Sequence, residues 1–262
     1  MGSLVGLRIY PVKSMRGMEQ PEAVVESRGL KGDRRWMVCD HDGKFLTQRN
    51  VHELAQYSVR YVGSSLQINH PQNGLALVGQ PVKPVKPIQV WNDTVDAVVA
   101  SSVVNQWLSK ALARPVELCY MPDSTIRTTH QDFSDPGDHV SFADGFPLLL
   151  TNVASLDEMN SHLDAHVSVD RFRPNVIVEG FEAWAEESWS GVQIGEVKFK
   201  CAKLCGRCIV TTLNPLTGES LGTEPLNYLS KHRLKGQAAI FGVNLIPMTP
   251  GVIRMGEIVV PI

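Results

Sequence analysis

At 262 residues the chain has room for two domains and for a buried core that needs no disulfide staples. Its 25 Lys and Arg nearly balance 27 Asp and Glu, which argues against the basic surface of a nucleic-acid-binding protein. Apolar runs such as Phe146-Pro-Leu-Leu-Leu150 fall far short of a membrane span, and the N-terminus lacks the basic start and apolar stretch of a secretory signal. A cytoplasmic protein with neither a membrane nor a nucleic-acid partner is the expectation.

Strand signals dominate. Val5–Tyr10 alternates before Pro11, and Arg35–Cys39 is an apolar run closed by the turn-like Asp40-His-Asp-Gly43, which leads into a further strand at Lys44–Gln48. Ser65–His70 and Thr94–Val99 continue the pattern, as do Glu196–Lys200 and the closing Val252–Met255. Three helices are predicted. Ser102–Leu112 has a serine available as cap, Asn152–Leu163 sets Leu156, Met159 and Leu163 on one side, and Leu226–His232 is shorter. The proline-rich stretch 79–87 reads as an edge or loop inside the first unit, because strand-like sequence resumes at Trp91. Residues 121–139 are polar and turn-rich, and mark the boundary or a mobile loop. The fold class is therefore mainly β with some helices (α+β), divided into units 1–120 and 121–262.

Five cysteines are present, and Cys201, Cys205 and Cys208 fall within eight residues. An odd count in a chain of this size argues against a disulfide framework. As spacing alone, C-x3-C-x2-C matches the motif that radical-SAM enzymes use for an iron–sulfur cluster. Only 54 residues follow Cys208, however, where those enzymes need most of a barrel after the motif. A structural zinc site would need four ligands, and His232 is the only later histidine. A thioredoxin-like pair lacks its strand–helix context. Cys201 lies in an alternating run with Val197 and Phe199 and reads as a small buried hydrophobe. Cys208 is different: Arg207 supplies a neighbouring cation and Gly206 lets the backbone turn tightly. From these residues alone, a reactive and an inert Cys208 both remain open.

Several separated segments share one source of similarity. Tyr10-Pro-Val-Lys-Ser14, Gly32-Asp-Arg34, Phe45-Leu-Thr-Gln-Arg49, Ser141–Pro147, Phe172-Arg-Pro-Asn175, Cys205–Thr212 and Phe241–Ile246 occur in family order over nearly the whole chain. With them the chain resembles MOSC-domain proteins of the bacterial YcbX type and of the mitochondrial amidoxime-reducing type. The resemblance implies an N-terminal β-barrel-like domain followed by a MOSC β-barrel domain. It also implies a molybdenum cofactor (Mo-molybdopterin) whose metal is held by Cys208, a soft thiolate suited to that metal; pyridoxal phosphate is not expected. By motif position the cofactor-binding residues are Lys13, Ser14, Arg34, Asp144, Arg173, Asn175, Arg207 and Asn244. The cations suit the pterin phosphate, while Asp144 and Asn175 either meet the pterin's amide-like edge or cap turns.

The function so implied is reduction of N-hydroxylated bases, amidoximes or hydroxylamines: R–NHOH, two electrons and two protons give R–NH2 and water. Cys208 is the residue on which catalysis would depend. No cysteine follows Cys208, so no ferredoxin-type centre is expected in this sequence, and a separate electron-transfer protein is the expected partner. The alternative is a non-catalytic carrier of the molybdenum cofactor or of sulfur on Cys208. His130 and His139, in the polar 121–139 segment, are candidates to overlie the site. Phe133, Phe142 and Phe146 are candidates to line a substrate entrance. Asn214 stands where the mitochondrial relatives have an acidic residue before proline.

Overall fold

The computed structural model describes the whole chain except residues 82 and 83. Seven strands close into a ring: Gly2–Ile9, Ile258–Pro261, Gly191–Ile194, Val197–Gly206, Ala238–Pro247, Leu148–Asn152 and Val176–Glu179, the last pairing back to the first. Leu148–Asn152 and Val176–Glu179 run parallel, as their connection through the helix Val153–Ser161 requires; the other neighbours are antiparallel. Alternating inward positions fill the ring with Leu4, Leu7, Leu150, Val178, Ile194, Phe199 and Leu245, all essentially inaccessible to water. Asn152 caps the helix by accepting from the Ala154 amide, and Met159 packs from that helix against Phe172 and Phe241 outside the barrel.

Seven further strands form an open half-barrel. One sheet runs in the order Trp36–Asp40, Val116–Tyr120, Asp93–Val99, Val85–Val90, and a second joins Ser58–Val62, Ser65–His70 and Gly74–Val78. The run Trp36-Met-Val-Cys39 is apolar at every position because both faces are covered. Trp36 and Val38 meet the helix Ser102–Ala111 side, whereas Met37 and Cys39 meet Ile88, Cys119 and Phe142. Among the described residues no helix is long and apolar enough to cross a membrane.

The first strand, Gly2–Ile9, joins a barrel whose other strands all lie after residue 147. Two expectations need correction. Lys44–Gln48 is not a strand. After two isolated bridges, at Lys44 and Phe45, the chain turns, with the Asn50 carboxamide accepting from the Thr47 amide at 3.1 Å. The 121–139 segment is polar yet anchored: Arg127, 5% exposed, donates to the carbonyls of Ser141 (2.9 Å) and Ala143 (2.6 Å) and pairs with Asp93. The three helices fall where the periodicity sets them, to within two residues. In the 79–87 stretch, Val85–Pro87 belong to an edge strand, while residues 82 and 83 lie outside the described residues.

Candidate cofactor site

A cavity of about 160 Å³ opens at one rim of the barrel, where it faces the half-barrel. Loops following the first strand bring Lys13 and Ser14 to it, and a turn before Trp36 brings Arg34. The connection into Val176–Glu179 brings Arg173 and Asn175. Asp144 comes from the loop before Leu148. Arg207 and Cys208 follow the end of the Val197–Gly206 strand, and Asn244 lies on its neighbour. All nine residues singled out from the sequence thus line one cavity. Thr47, Gln48 and Arg49 line it as well, and sequence reasoning missed them. The signal was present, since Arg49 closes a family-like segment, but the segment was read as a strand.

Two breaks in register position the cysteines. The pairing of Val197–Gly206 with Ala238–Pro247 shifts between Cys201 and Lys203 and again between Leu204 and Gly206. Such bulges redirect side chains at barrel rims. Gly242 lies opposite at φ +78°, and a Cβ there would come within 2.6 Å of the Leu150 carbonyl, so only glycine fits. As a result Cys205 and Cys208 reach the cavity, while Cys201 packs on the barrel core, where burial pushes its thiol up to about 12. Among the described residues no three His, Cys, Asp or Glu side chains converge as a metal-ligand group.

Five cations line the cavity (Lys13, Arg34, Arg49, Arg173 and Arg207) against one carboxylate, Asp144. Each is held in place. Lys13, 5% exposed, donates from Nζ to the Phe142 carbonyl at 2.8 Å and to Asp144. Arg49 reaches Asp144 at 3.1 Å and sits beside the Cys208 sulfur. Arg34 donates to Asp33 (2.6 Å) and to the Asn175 carboxamide oxygen (2.8 Å). Arg34 and Arg173 both stack on the buried Tyr10 ring, each 4.3 Å from its centroid. Arg207 donates to Cys205 Sγ at 2.9 Å and to the Phe172 carbonyl at 2.6 Å, yet its buried Nε has no partner.

Electrostatic strain follows from this crowding. Burial lowers Lys13 below an ordinary lysine despite Asp144, and lowers Arg173 to about 10. Burial would also raise Asp144, but Lys13 and Arg49 overcome it and hold that carboxyl well below the usual range. The backbone is strained too: Ser14 (φ +68°), Arg34 (φ +45°) and Arg173 (φ +57°) occupy the left-handed region without being glycine. Asn175, 1% exposed, turns its carboxamide oxygen to Arg34 and the Leu149 amide and one N–H to the Arg8 carbonyl, so it acts as a brace for Arg34. Asn244 donates to the Lys203 carbonyl at 3.1 Å. His130 and His139 stay out of the lining, as does Asn214, whose carboxamide closes a turn on the Leu216 amide at 2.8 Å. Of the three phenylalanines only Phe146 lines the cavity; Phe142 is core, and Phe133 packs on Phe146.

This donor set fits an anionic, thiolate-held cofactor: an unpaired buried guanidinium N–H and a surplus of four positive charges surround a cysteine. Comparison with known proteins agrees on the family. The pattern described as "MOSC N-terminal beta barrel domain" matches residues 1–115, and that of the "MOSC domain" matches residues 137–260. The chain belongs to the MOSC family. This MOSC protein is 31% identical to mitochondrial amidoxime-reducing component 1 of Homo sapiens, over 98% of its own length and 82% of the relative's. It is also 31% identical to the protein of the same name from Danio rerio, over 98% and 84%. Among solved structures, the YUAD protein from Bacillus subtilis aligns over 99% of this chain and 94% of its own, at 12% identity and a TM-score of 0.47.

Proposed function

We propose that this MOSC protein is a molybdenum-cofactor-dependent reductase of N-hydroxylated compounds, fed with electrons by a separate protein. The observation that carries the reading is the single cavity that gathers Cys208 with five cations, in a chain whose relatives are named for amidoxime reduction. When bound, the cofactor supplies the two-electron chemistry, and the protein supplies position and electrostatics. Cys208 would hold the metal through its sulfur. Lys13, Arg34, Arg173 and Arg207 offset the charge of the phosphate and fix its place. Asp144 keeps Lys13 and Arg49 in register by binding both. Asn175 and Asp33 keep Arg34 from swinging out of the cavity. Arg49, beside the Cys208 sulfur, would favour negative charge on a substrate oxygen near the metal.

The test combines elemental analysis with a reductase assay, on protein made with and without a working molybdenum-cofactor pathway. Close to one molybdenum per chain is expected, together with reduction of an amidoxime by an artificial donor, and both should vanish in Cys208→Ala. A folded Cys208→Ala protein that still reduces the amidoxime would overturn the assignment. Retention of molybdenum with no turnover on any donor would favour the carrier instead.

A further inference from the structure

The strands Val85–Val90 and Asp93–Val99 are joined by only two residues, Trp91 and Asn92. Of these only Trp91 takes a left-handed backbone, at φ +55°. The first central position of such a hairpin is where glycine belongs, and a bulky side chain there is an outlier. The local fold is therefore better served without this indole. The ring is only partly buried, and the residue remains 39% exposed. What it touches is the cavity mouth. Its Nε1 donates to Asp144 Oδ1 at 3.4 Å, and the Arg49 guanidinium lies 4.9 Å from its centroid. Phe45 meets it edge-on at 5.0 Å, and Lys13 lies 5.5 Å from Phe45 in turn. Arg49 and Asp144 line the cavity beside Cys208, so the indole stands one contact outside the reacting centre.

We infer that Trp91, backed by Arg49 and Phe45, is a stacking platform that recognises the flat face of an N-hydroxylated aromatic base. The inference rests on the reductase reading and narrows its substrate class. A strained, half-exposed aromatic beside an arginine offers a π-surface that any planar heterocycle can cover, independent of its hydrogen-bonding edge. A compact substrate such as hydroxylamine has no such face and gains nothing from it. Trp91 is thus a specificity residue, and the two kinds of substrate separate its role from that of the cofactor site.

The experiment compares molybdenum-loaded wild type with Trp91→Gly and Trp91→Phe, using N4-hydroxycytosine and hydroxylamine as substrates. Trp91→Gly should raise KM for N4-hydroxycytosine about tenfold, within the range that base–aromatic stacking supplies, with kcat little changed. KM for hydroxylamine should stay the same, the thermal midpoint should not fall, and Trp91→Phe should recover most of the loss. Equal KM values for N4-hydroxycytosine would overturn the platform, and so would equal losses on both substrates. Fluorescence titration with N4-hydroxycytosine is the second readout, independent of turnover: saturable quenching in wild type should disappear in Trp91→Gly. If wild type reduces neither substrate, the reductase reading fails while this titration still decides the platform.

Discussion

The interior of the barrel is lined by strands and the cavity at its rim mostly by the loops between them, and the two obey opposite rules. Inside, Leu4, Val178, Phe199 and Leu245 are apolar and fully enclosed, and the alternation of the strands predicts which residues face inward. At the rim, five cations crowd around one carboxylate, three non-glycine residues take left-handed backbone, and the Arg207 Nε–H is buried without a partner. A buried donor left unpaired costs about 1–3 kcal/mol. Left-handed non-glycine residues and unpaired buried atoms occur elsewhere too, as at Trp184 and Tyr57; at the rim they coincide with five cations around a cysteine. That coincidence suits a site built for a charged ligand.

Substitutions on the two sides should therefore separate stability from function. Cys208→Ala should abolish molybdenum retention and lower reductase activity by at least a hundredfold, with the thermal midpoint within a few degrees of wild type; metal analysis and a melting curve check both halves. Phe199→Ala should do the reverse. It should lose about 3–5 kcal/mol in urea unfolding, as large-to-small core changes do, while the specific activity of the folded fraction persists. A Phe199→Ala protein of normal stability would show that the ring is not the principal core.

The Asp144 clamp can be tested by pH. A carboxyl depressed in the folded state contributes stability that is complete above the unfolded value of about 4 and is lost as pH falls through the folded one. Lys13 and Arg49 depress Asp144, so the stability difference between wild type and Asp144→Asn should stay level from pH 7 to pH 5 and shrink only below about pH 4. A difference that declines already between pH 7 and pH 5 would contradict the clamp. The smallest effect belongs to the backbone. Ser14→Gly relieves a left-handed serine and should gain roughly 0.5–1 kcal/mol in thermal unfolding, at the expense of several-fold weaker phosphate retention measured by calorimetry.

The two regions also differed in how far the sequence revealed them. Barrel strands such as Gly2–Ile9 announce themselves by alternation, but nothing in that octapeptide states that its partners are Val176–Glu179 and Ile258–Pro261. Pairing is a property of the closed sheet, which no single segment states. Around the cavity, Lys13, Arg34, Arg173 and Cys208 were legible because each sits in a short, recognisable motif. Arg49 was hidden by a β-like composition that the Asn50 turn overrides. Arg127 was hidden in a segment whose polarity suggested mobility, although its guanidinium is buried and donates to three carbonyls. Trp91 had no motif at all, and its meaning lies in a dihedral angle.

The pairing of Gly2 with Val259 has a consequence for how the molecule is made. The barrel is sealed by strands far apart in sequence, so the ring cannot close before residues 258–261 have left the ribosome. Until residues 258–261 are free, the edges of Gly2–Ile9 and Gly191–Ile194 wait unpaired, and exposed strand edges invite association between nascent chains. A circular permutant that joins the two ends and opens the 121–139 segment would place those strands side by side in sequence and shorten that wait.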